Sequence, residues 1–538
     1  MRRLTAILTG LMLIIITTVS GTAVYAVNQS DNTDPTVYTY HRNNDNEQTS
    51  ESDEQDATDA TESTEAGSTD NSEDEEDIPT PSKSKVDTSW FDYKNKKKTY
   101  TIKTEAQLRG LASLVNEKQA AWKPNHTENF RNTKFVLAND IKLSGPWAPI
   151  GHGSSYSFQG TFDGNNHTIS GLKIGTGYDY SGFFGYLKGS VVNLNVEGKV
   201  ASNNPCTGTI AGRIDASATI TGCTTHATVT GKDKTGGIVG ESKGGTVELC
   251  KNRGKVNGTY KVGGVVGENF GGKIIKSGNS AEIKSTTRNL GIYGTGGVAG
   301  RAVSDGSVVR ECYNTGSIIS ETEGTGGVVG FANARGSRIV SSYNTGNIVV
   351  KAAEEGKKKS KAYSGGVAGI VCDNEVIIAN CYNIGTSLGA DVSGGVVGYY
   401  TDKNNRPPKL HITNNYFVNS QYKWGIGIIN DSQGATIEDC AVGISLGALK
   451  NASGRLSSKF RNDSSGIYGN AGYPVLRWQD KLSEDDKEYL KGISVDAQKR
   501  LDNYMTKHVD SLMVGEIIIN IFNTTNLLQN SIKLSGDK

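Results

Sequence analysis

The chain has 538 residues, of which 67 are glycine, 10 are proline and 35% are hydrophobic. The glycine content excludes an all-α protein, and the scarcity of proline excludes collagen. The formal net charge of +1 hides an asymmetry, because residues 31–80 hold 17 acidic side chains and one basic one, while residues from 81 onward hold 54 basic and 39 acidic ones. An acidic segment is therefore joined to a basic body.

Residues 1–26 have the pattern of an export signal. Two arginines precede an apolar run from Leu4 to Val19, and small residues follow up to Ala26. This order predicts a signal peptide cleaved near Ala26, and so a secreted or extracellular cell-surface protein. The alternative is an uncleaved membrane anchor, because the apolar run is long enough to span a bilayer if glycine and threonine are tolerated.

Residues 27–88 are rich in Asp, Glu, Ser, Thr and Asn and poor in large apolar side chains. Such a composition cannot bury enough apolar surface to offset the entropy lost on folding. We therefore expect a disordered acidic stalk. It either holds a folded body away from a membrane or wall, or serves only as a solubilising spacer.

Residues 89–129 are predicted to form an N-terminal cap. A capping box, Thr104-Glu-Ala-Gln107, starts a helix that runs to about Asn116. Leucine, alanine and valine recur on one face of this helix, which is the pattern of an amphipathic helix that packs on a core. We expect it to plug the N-terminal mouth of the core that follows.

Residues 130–478 contain an internal repeat. Eight segments end in a motif of the type Thr-Gly-Gly-Val-Val-Gly, and their last glycines lie 27 to 39 residues apart. Short Val/Ile-rich stretches separated by Gly, Asn and Ser turns follow, which indicates about three strands per repeat. A single coil of ~30 residues cannot bury its own apolar face, so coils stack to share one core. The predicted fold class is all-β, a single-stranded parallel β-helix.

The repeats resemble the GLUG motif repeats of Gram-positive surface and secreted proteins. The resemblance covers about residues 181–445 and depends on Gly-Gly-(Ile/Val)-(Val/Ala)-Gly followed by Cys-Tyr-Asn-Thr-Gly. Similar repeats occur upstream of the catalytic domain in immunoglobulin-A-specific zinc peptidases. That catalytic domain is not expected here, because none of the seven histidines lies in the HExxH motif that binds the zinc of those enzymes.

The C-terminal part of the chain is predicted to end the solenoid. Tyr473-Pro-Val-Leu-Arg-Trp478 is expected to close the repeats, and residues 479–538 to form a helical tail. Within that tail, residues 484–513 have an apolar stripe at helical spacing. The tail either docks as a second cap or binds a partner.

Stacked coils place equivalent residues in columns, and two columns are expected to be structural. The first contains small sulfur and hydroxyl side chains, which suit a tight interior; we expect buried free thiols, with a disulfide between Cys223 and Cys250 as the alternative. The second contains asparagines, whose amides are expected to form a ladder of hydrogen bonds from coil to coil. The first column is Cys223, Cys250, Ser277, Cys312, Ser342, Cys381, Asn415 and Cys440, and the second is Asn252, Asn279, Asn314, Asn344 and Asn383.

The candidate binding residues are four tyrosines and four lysines. The tyrosines lie between the two columns: facing outward they form a strip that stacks on sugar rings, and facing inward they fill the core, and both options stay open. The lysines lie in the longest insertion between motifs and are expected on an outer loop. The residues are Tyr313, Tyr343, Tyr382, Tyr416, Lys357, Lys358, Lys359 and Lys361.

No catalytic residue, metal site or cofactor is predicted. Two matches to GxSxG, at 385–389 and 443–447, lack the strand-turn-helix context of a nucleophile elbow. Cys223 and His226 form a lone pair, which provides too few ligands for a metal. The acidic residues are spread over turns, where Asp is expected on conformational grounds.

The leading hypothesis is a non-catalytic, secreted or cell-surface adhesion protein. Its basic body is expected to contact an anionic wall polymer, a glycan or a host surface ligand, with no nucleic acid as partner and a membrane only if the signal segment is uncleaved. The alternative is a polysaccharide-degrading lyase or glycosidase on the same fold. Carboxylates that converge in an outer groove would favour the enzyme, and dispersed ones would favour binding.

Overall fold

The computed structural model describes residues 86–116, 128–153, 155–286, 293–351, 361–372, 375–401, 411–430, 440–463, 472–482, 486–487 and 490. The signal segment, the stalk up to residue 85 and nearly all of the predicted helical tail lie outside the described residues. So do Lys357, Lys358 and Lys359 of the candidate binding set.

The described chain forms a parallel β-solenoid, as the repeats predicted. Each coil visits four sheets in a fixed order, which we call A, B, C and D. The order within one coil is Thr219–Thr221 in A, Thr224–Thr225 and Thr228–Thr230 in B, Thr235–Gly236 in C and Val239–Lys243 in D. Neighbouring coils pair in parallel, and the nine strands of sheet D correspond to about nine coils.

The strand bounds follow the repeat. Sheet A consists of Thr99–Ile102, Lys134–Leu137, Thr161–Asp163, Ser190–Val192, Thr219–Thr221, Thr246–Glu248, Lys273–Ile275, Val308–Arg310, Arg338–Val340, Ile377–Ala379 and His411–Thr413. Sheet B consists of Ile141–Lys142, Thr168–Ile174, Asn195–Ala201, Thr224–Thr225, Thr228–Thr230, Lys251–Asn252, Val256–Gly258, Gly278–Asn279, Ile283–Ser285, Tyr313–Asn314, Ile318–Ser320, Tyr343–Asn344, Ile348–Val350, Tyr382–Asn383, Ser387–Leu388, Asn415–Val418 and Ala441–Ile444.

The other two sheets are built from the glycine-rich motifs. Sheet C consists of Tyr180–Ser181, Cys206–Gly208, Thr235–Gly236, Val262–Gly263, Gly294–Gly296, Gly324–Gly326, Tyr363–Gly365 and Val392–Gly394. Sheet D consists of Phe184–Leu187, Ala211–Ile214, Val239–Lys243, Val266–Phe270, Ala299–Val303, Val329–Asn333, Ala368–Val371, Val397–Thr401 and Ile426–Asn430. Outside the solenoid, Phe460–Asn462 pairs antiparallel with Pro474–Leu476. Among the described residues, the helices with defined bounds are Glu105–Asn116 and Leu446–Lys450, with 3-10 turns at Ala452–Gly454 and Arg477–Lys481.

The asparagine ladder lies between two apolar cores. The main core is lined by sheets A and D and contains the cysteine column, while a smaller core between sheets B and C contains Val256, Ile283 and Ile318. Each ladder asparagine lies in sequence between a residue of the main core and a residue of the smaller core. The ladder therefore runs along the boundary between the two cores. Both cores continue from coil to coil, as expected of a solenoid.

The second glycine of the motif is required because the asparagine ladder packs directly against it. A Cβ added to Gly297, the second glycine of its motif, would lie 2.4 Å from Cγ of Asn314 and 2.1 Å from the carbonyl oxygen of Gly327 on the next coil. A Cβ on Gly264 would likewise lie 2.4 Å from Cγ of Asn279. Only glycine allows the backbone to approach the ladder this closely.

The helix Glu105–Asn116 lies where the capping box predicted a helix. Thr104 Oγ1 accepts a hydrogen bond from the Gln107 backbone N–H at 3.2 Å, and Gln107 Oε1 accepts one from Lys103 N–H at 2.8 Å. The buried face of the helix belongs to the main core cluster through Leu108, Leu111, Leu114 and Val115. Its packing is thus continuous with the interior of the first coils.

The segment after the last coil lies along the side of sheet B, so the prediction that it closes the end of the repeats is wrong. We call its described residues, 456–463 and 472–482, the side segment. It contacts three successive coils: Pro474 accepts a hydrogen bond from Tyr382, Gln479 accepts one from Tyr343 at 3.0 Å, and the Trp478 indole donates to the Glu311 carbonyl at 2.9 Å. Further along, Asp486 pairs with Lys251 and Arg253, which lie two coils nearer the N-terminus than Tyr313.

Candidate binding groove

The four candidate tyrosines face away from the main core and are nevertheless buried. Their exposed fractions are 1% for Tyr313, 0% for Tyr343, 0% for Tyr382 and 8% for Tyr416. The rings of Tyr343 and Tyr382 stack at 5.0 Å between centroids, beneath Phe460 and the side segment. They form neither a free surface strip nor part of the main core. Their stacking on a sugar ring would require the side segment to leave sheet B.

The candidate lysines stay a prediction. Lys361 is exposed, next to the start of the sheet C strand Tyr363–Gly365. The other three lie outside the described residues, so their position relative to Lys361 stays an expectation.

The two structural columns are formed as the repeat register predicted. All seven cysteines are free and buried, and burial raises the pKa of the Cys312 and Cys381 thiols to about 12. In the ladder, each asparagine amide donates to the Oδ1 of the next one at 2.8 Å, from Asn252 to Asn383. Both columns therefore serve the fold.

A groove that the sequence analysis did not predict lies at the outer corner between sheets C and D. Two rows of outward-facing positions meet there, one from each sheet, and side chains touch across the corner, as in the pairs Lys234–Glu241 and Tyr363–Tyr399. The outer faces of the two sheets therefore form a concave angle. We call this the corner groove. The sheet C row is Tyr180, Cys206, Lys234, Lys261, Gly294, Gly324, Tyr363 and Val392, and the sheet D row is Tyr186, Arg213, Glu241, Glu268, Arg301, Phe331, Ile370 and Tyr399.

Aromatic side chains lie at both ends of the corner groove. At one end the rings of Tyr180 and Tyr186 are 5.5 Å apart, and the Arg213 guanidinium lies 5.2 Å from the centre of the Tyr186 ring. At the other end the rings of Tyr363 and Tyr399 stack at 4.5 Å, and both are partly exposed. Partly exposed rings of this kind suit contact with an amphipathic ligand.

The centre of the corner groove is a network of ion pairs. Lys234 Nζ lies 2.9 Å from Glu241 and 3.4 Å from Glu268, and so bridges carboxylates of two neighbouring coils. Arg301 Nη1 lies 3.3 Å from Glu268. Lys261 adds contacts at 3.6 Å to Glu268 and at 3.4 Å to Asp233. Glu268 is therefore held among three cations.

The electrostatics of this network keep Glu241 and Lys234 ionised. Burial alone would raise the pKa of Glu241, but the attraction and hydrogen bond of Lys234 and the attraction of Arg213 outweigh it, so the pKa lies below its usual value. Burial would lower the pKa of Lys234, but the two carboxylates raise it above its usual value. Burial, and then the charge of Glu241, raise the pKa of the neighbouring Cys206 thiol, which is therefore neutral at physiological pH.

The described part of the chain contains no group of three or more His, Cys, Asp or Glu side chains placed to hold a metal ion. Nor does any helix within the described ranges have the length and apolar character needed to cross a membrane.

The sequence contains a signal for the corner groove that periodicity analysis missed. The residue directly after the last glycine of each motif belongs to the sheet D row, as with Glu241 after Gly240 and Tyr399 after Gly398. The residue directly before each motif belongs to the sheet C row, as with Lys234. These flanking positions vary from repeat to repeat, so they do not appear in a search for conserved spacing.

Comparison with known proteins gives partial similarities. No family model matches the chain. A stretch of 100 residues, 18% of this chain, is 36% identical to halomucin of Haloquadratum walsbyi, and the match spans only 1% of the length of that protein. A solved structure from Bacteroides ovatus, named as a "putative immunoglobulin A1 protease", is similar over 71% of this chain and 92% of its own, with 19% identity and a TM-score of 0.38. These similarities do not confirm the GLUG family resemblance.

Proposed function

We propose that the chain is a non-catalytic binding protein of the cell surface or the secreted fraction, and that an extended polymer lies along its corner groove. The observation that supports this is the meeting of two outward rows over eight successive coils, with the partly exposed ring of Tyr180 at one end and those of Tyr363 and Tyr399 at the other. A groove parallel to the stacking direction matches a ligand with its own linear repeat. Extended binding surfaces of this kind are typical of solenoids.

The charge pairing in the groove argues for binding rather than catalysis. A general acid at neutral pH needs a raised pKa, and a nucleophilic carboxylate needs access to the substrate. Glu241 has a lowered pKa and is 2% exposed, and Glu268 is 5% exposed beneath Lys261 and Arg301. Both carboxylates thus serve to hold cations in place.

A polysaccharide-degrading enzyme is the second candidate, and one observation favours it. Glu241 and Glu268 pair directly on adjacent strands, so two carboxyl groups do converge in an outer groove. The ~4.8 Å spacing of adjacent strands is close to the ~5 Å separation that retaining glycosidases use. The surrounding cations would then have to move away for either group to act.

We also propose that a helix caps the N-terminal end of the solenoid and that the protein is exported. The helix Glu105–Asn116 shields the N-terminal end of the main core, where Asn116 Nδ2 donates to Pro149 O at 2.8 Å and its Oδ1 accepts from Gly151 N–H at 2.7 Å. Export through the signal segment 1–26 would place the chain outside the cytoplasm.

The test is a glycan-array measurement with the full chain, run beside an assay of reducing-sugar release on every glycan that binds. We expect binding to a subset of polymeric glycans without release of new reducing ends. Release of reducing ends that is abolished by Glu241→Gln and Glu268→Gln would establish the enzyme instead. An array without any bound polymer at low salt would contradict both candidates.

A further inference from the structure

Two arginines of the corner groove are held by more contacts than an exposed arginine needs. The Arg213 guanidinium lies between Tyr180 and Tyr186, at 5.7 and 5.2 Å from the ring centres, and its Nη1 donates to Tyr180 at 3.3 Å. The Arg301 guanidinium lies 5.3 Å from the centre of the buried Phe331 ring. Contacts with ring faces fix the plane of each guanidinium.

These arginines still have unused hydrogen-bond donors. Nε of Arg213 and Nε of Arg301 have no hydrogen-bond partner among the described residues, but both atoms are buried, so a ligand could reach these arginines only through their terminal nitrogens. Arg213 Nε lies 3.6 Å from Glu241, which is beyond hydrogen-bond length, and Arg301 is bonded to Glu268 only through Nη1. A guanidinium has five N–H donors. The folded chain thus positions both groups and leaves Nη2 of each, which is not among the buried atoms, without a hydrogen bond to the described residues.

The cationic side chains of the corner groove are more exposed than the carboxylates of Glu241 and Glu268, so a ligand contacts the cations first. The side chains of Arg213 and Arg301 are each 20% exposed, against 3% for Glu241 and 6% for Glu268. The carboxylates lie beneath the cations. The groove centre also contains more cations than carboxylates: Arg213, Lys234, Lys261 and Arg301 against Asp233, Glu241 and Glu268. An anion is therefore attracted, while the buried carboxylates are already paired.

The positions of the arginines follow the coil spacing. Arg213 and Arg301 belong to the same row and are separated by the strands of Glu241 and Glu268, so three steps of ~4.8 Å place them ~14 Å apart. The Tyr363–Tyr399 ring pair lies further along the same direction, beyond Phe331 and Ile370. A linear ligand along the groove meets a cation, a second cation and then an aromatic platform.

We propose that the corner groove binds an acidic polysaccharide, with oxyanions of the polymer at Arg213 and Arg301 and a sugar ring on the Tyr363–Tyr399 pair. This rests on the proposed binding function and names its ligand class and contact residues. Guanidinium groups bind carboxylate and sulfate groups through paired N–H donors, which point charges on lysine do not reproduce. The aromatic pair supplies a contact that a polyanion without sugar rings would not use.

The test measures binding of the full chain to immobilised polygalacturonate, dextran sulfate and neutral dextran at low and physiological salt. The first two polymers distinguish carboxylate from sulfate. We expect binding to at least one acidic polymer, little binding to dextran, and weakening as salt rises. Arg213→Gln and Arg301→Gln should each weaken acidic-polymer binding ~10-fold, since a charge-assisted hydrogen bond contributes at least ~1.4 kcal/mol.

Three variants complete the design. Arg338→Gln is the matched control, because Arg338 is exposed on sheet A and its loss removes the same charge from the same solenoid; it should bind as the unmodified chain does. Arg213→Lys and Arg301→Lys keep the charge beside Glu241 and Glu268, and they test the guanidinium geometry even if a glutamine variant fails to fold. Circular dichroism melting identifies any such failure. The lysine variants should recover part of the affinity and retain the salt dependence.

The outcomes separate this inference from the function it rests on. Equal binding to dextran and to acidic polymers, or acidic-polymer binding that all arginine variants share, would overturn the inference and leave the binding function standing. An Arg338→Gln loss as large as the groove losses would also overturn it, because general charge would then explain the affinity. Failure of every polymer to bind at low salt would overturn the binding function as well.

Discussion

Replacing Asn314 tests how much the asparagine ladder contributes to the solenoid. Its Oδ1 accepts from Asn279 at 2.8 Å, and its Nδ2 donates to Asn344 Oδ1 at 2.8 Å and to Gly316 O at 2.9 Å. Asn314→Ala removes all three hydrogen bonds. Asn279 keeps its bond to Ala281 O, so the net loss is close to three ordinary bonds at ~1 kcal/mol each, or ~3 kcal/mol.

Asn314→Asp is the sharper variant because its shape is almost unchanged. An ionised aspartate keeps the acceptor for Asn279 but faces Asn344 Oδ1 and Gly316 O without a donor, and its charge is buried. We expect a larger loss than for alanine at neutral pH. Burial would raise the pKa of this carboxyl above its unfolded value, so the extra loss should disappear as the pH falls and the acid becomes a donor.

Hydrogen exchange resolves the effect coil by coil, which a single unfolding transition of a repeat protein does not. Faster exchange is expected in the flanking sheet B strands Gly278–Asn279 and Tyr343–Asn344. The matched control is Asn257→Ala in sheet B, where the side chain is only partly buried and lies off the ladder. Equal effects of Asn257→Ala and Asn314→Ala, or no difference between Asp and Ala at neutral pH, would refute this account of the ladder.

Three further predictions follow from packing and charge. Gly297→Ala should destabilise the coil by several kcal/mol, because its Cβ would lie within 2.4 Å of Asn314, whereas Gly454→Ala, with nothing within 4 Å, should change the melting temperature little. Trp478→Ala should weaken docking of the side segment by ~3–5 kcal/mol, which would be seen as faster hydrogen exchange at Tyr313 and Tyr343 with exchange in sheets A, C and D unchanged. The pKa of Glu241 is lower in the folded chain than in the unfolded one, so ionised Glu241 stabilises the fold above the unfolded pKa of about 4.3, and this stabilisation is lost as the pH falls through the folded pKa. The melting temperature should therefore fall less on acidification for Glu241→Gln than for the unmodified chain.

The sequence predicted those features that repeat with a fixed period. The parallel solenoid, the buried cysteines and the asparagine ladder all depend on stacking equivalent residues, and one alignment of the motifs is enough to find them. Whether Tyr343 faces outward or into the core was left open, because it adjoins a turn, where the alternation of a strand often fails. The sequence also could not show that Phe460 and the side segment cover this tyrosine, because nothing in the repeat specifies what packs on its outside.

The corner groove escaped prediction for the opposite reason. Inward positions are constrained by the coils above and below, so they recur as Val, Ile, Cys or Asn. Outward positions are constrained only by the row across the corner, so Tyr186, Glu241 and Ile370 occupy one row without any shared residue type. Variation directly beside a recurring glycine motif is itself the signal, and it marks where the outer side chains of a solenoid change without a change in its core.

The pairing in the groove also constrains how the coils stack. Glu241 and Glu268 lie directly opposite each other on adjacent strands, and two like charges at that spacing would repel. Lys234 contacts both, and Lys261 and Arg301 also lie beside Glu268, so each carboxylate has several cations within 4 Å. A shift of one strand by two residues along its neighbour would move Arg301 away from Glu268 and leave a buried carboxylate with fewer cations. The charges that we propose for ligand attraction therefore also favour the observed register, which explains how a row of buried ions persists on the outside of a solenoid.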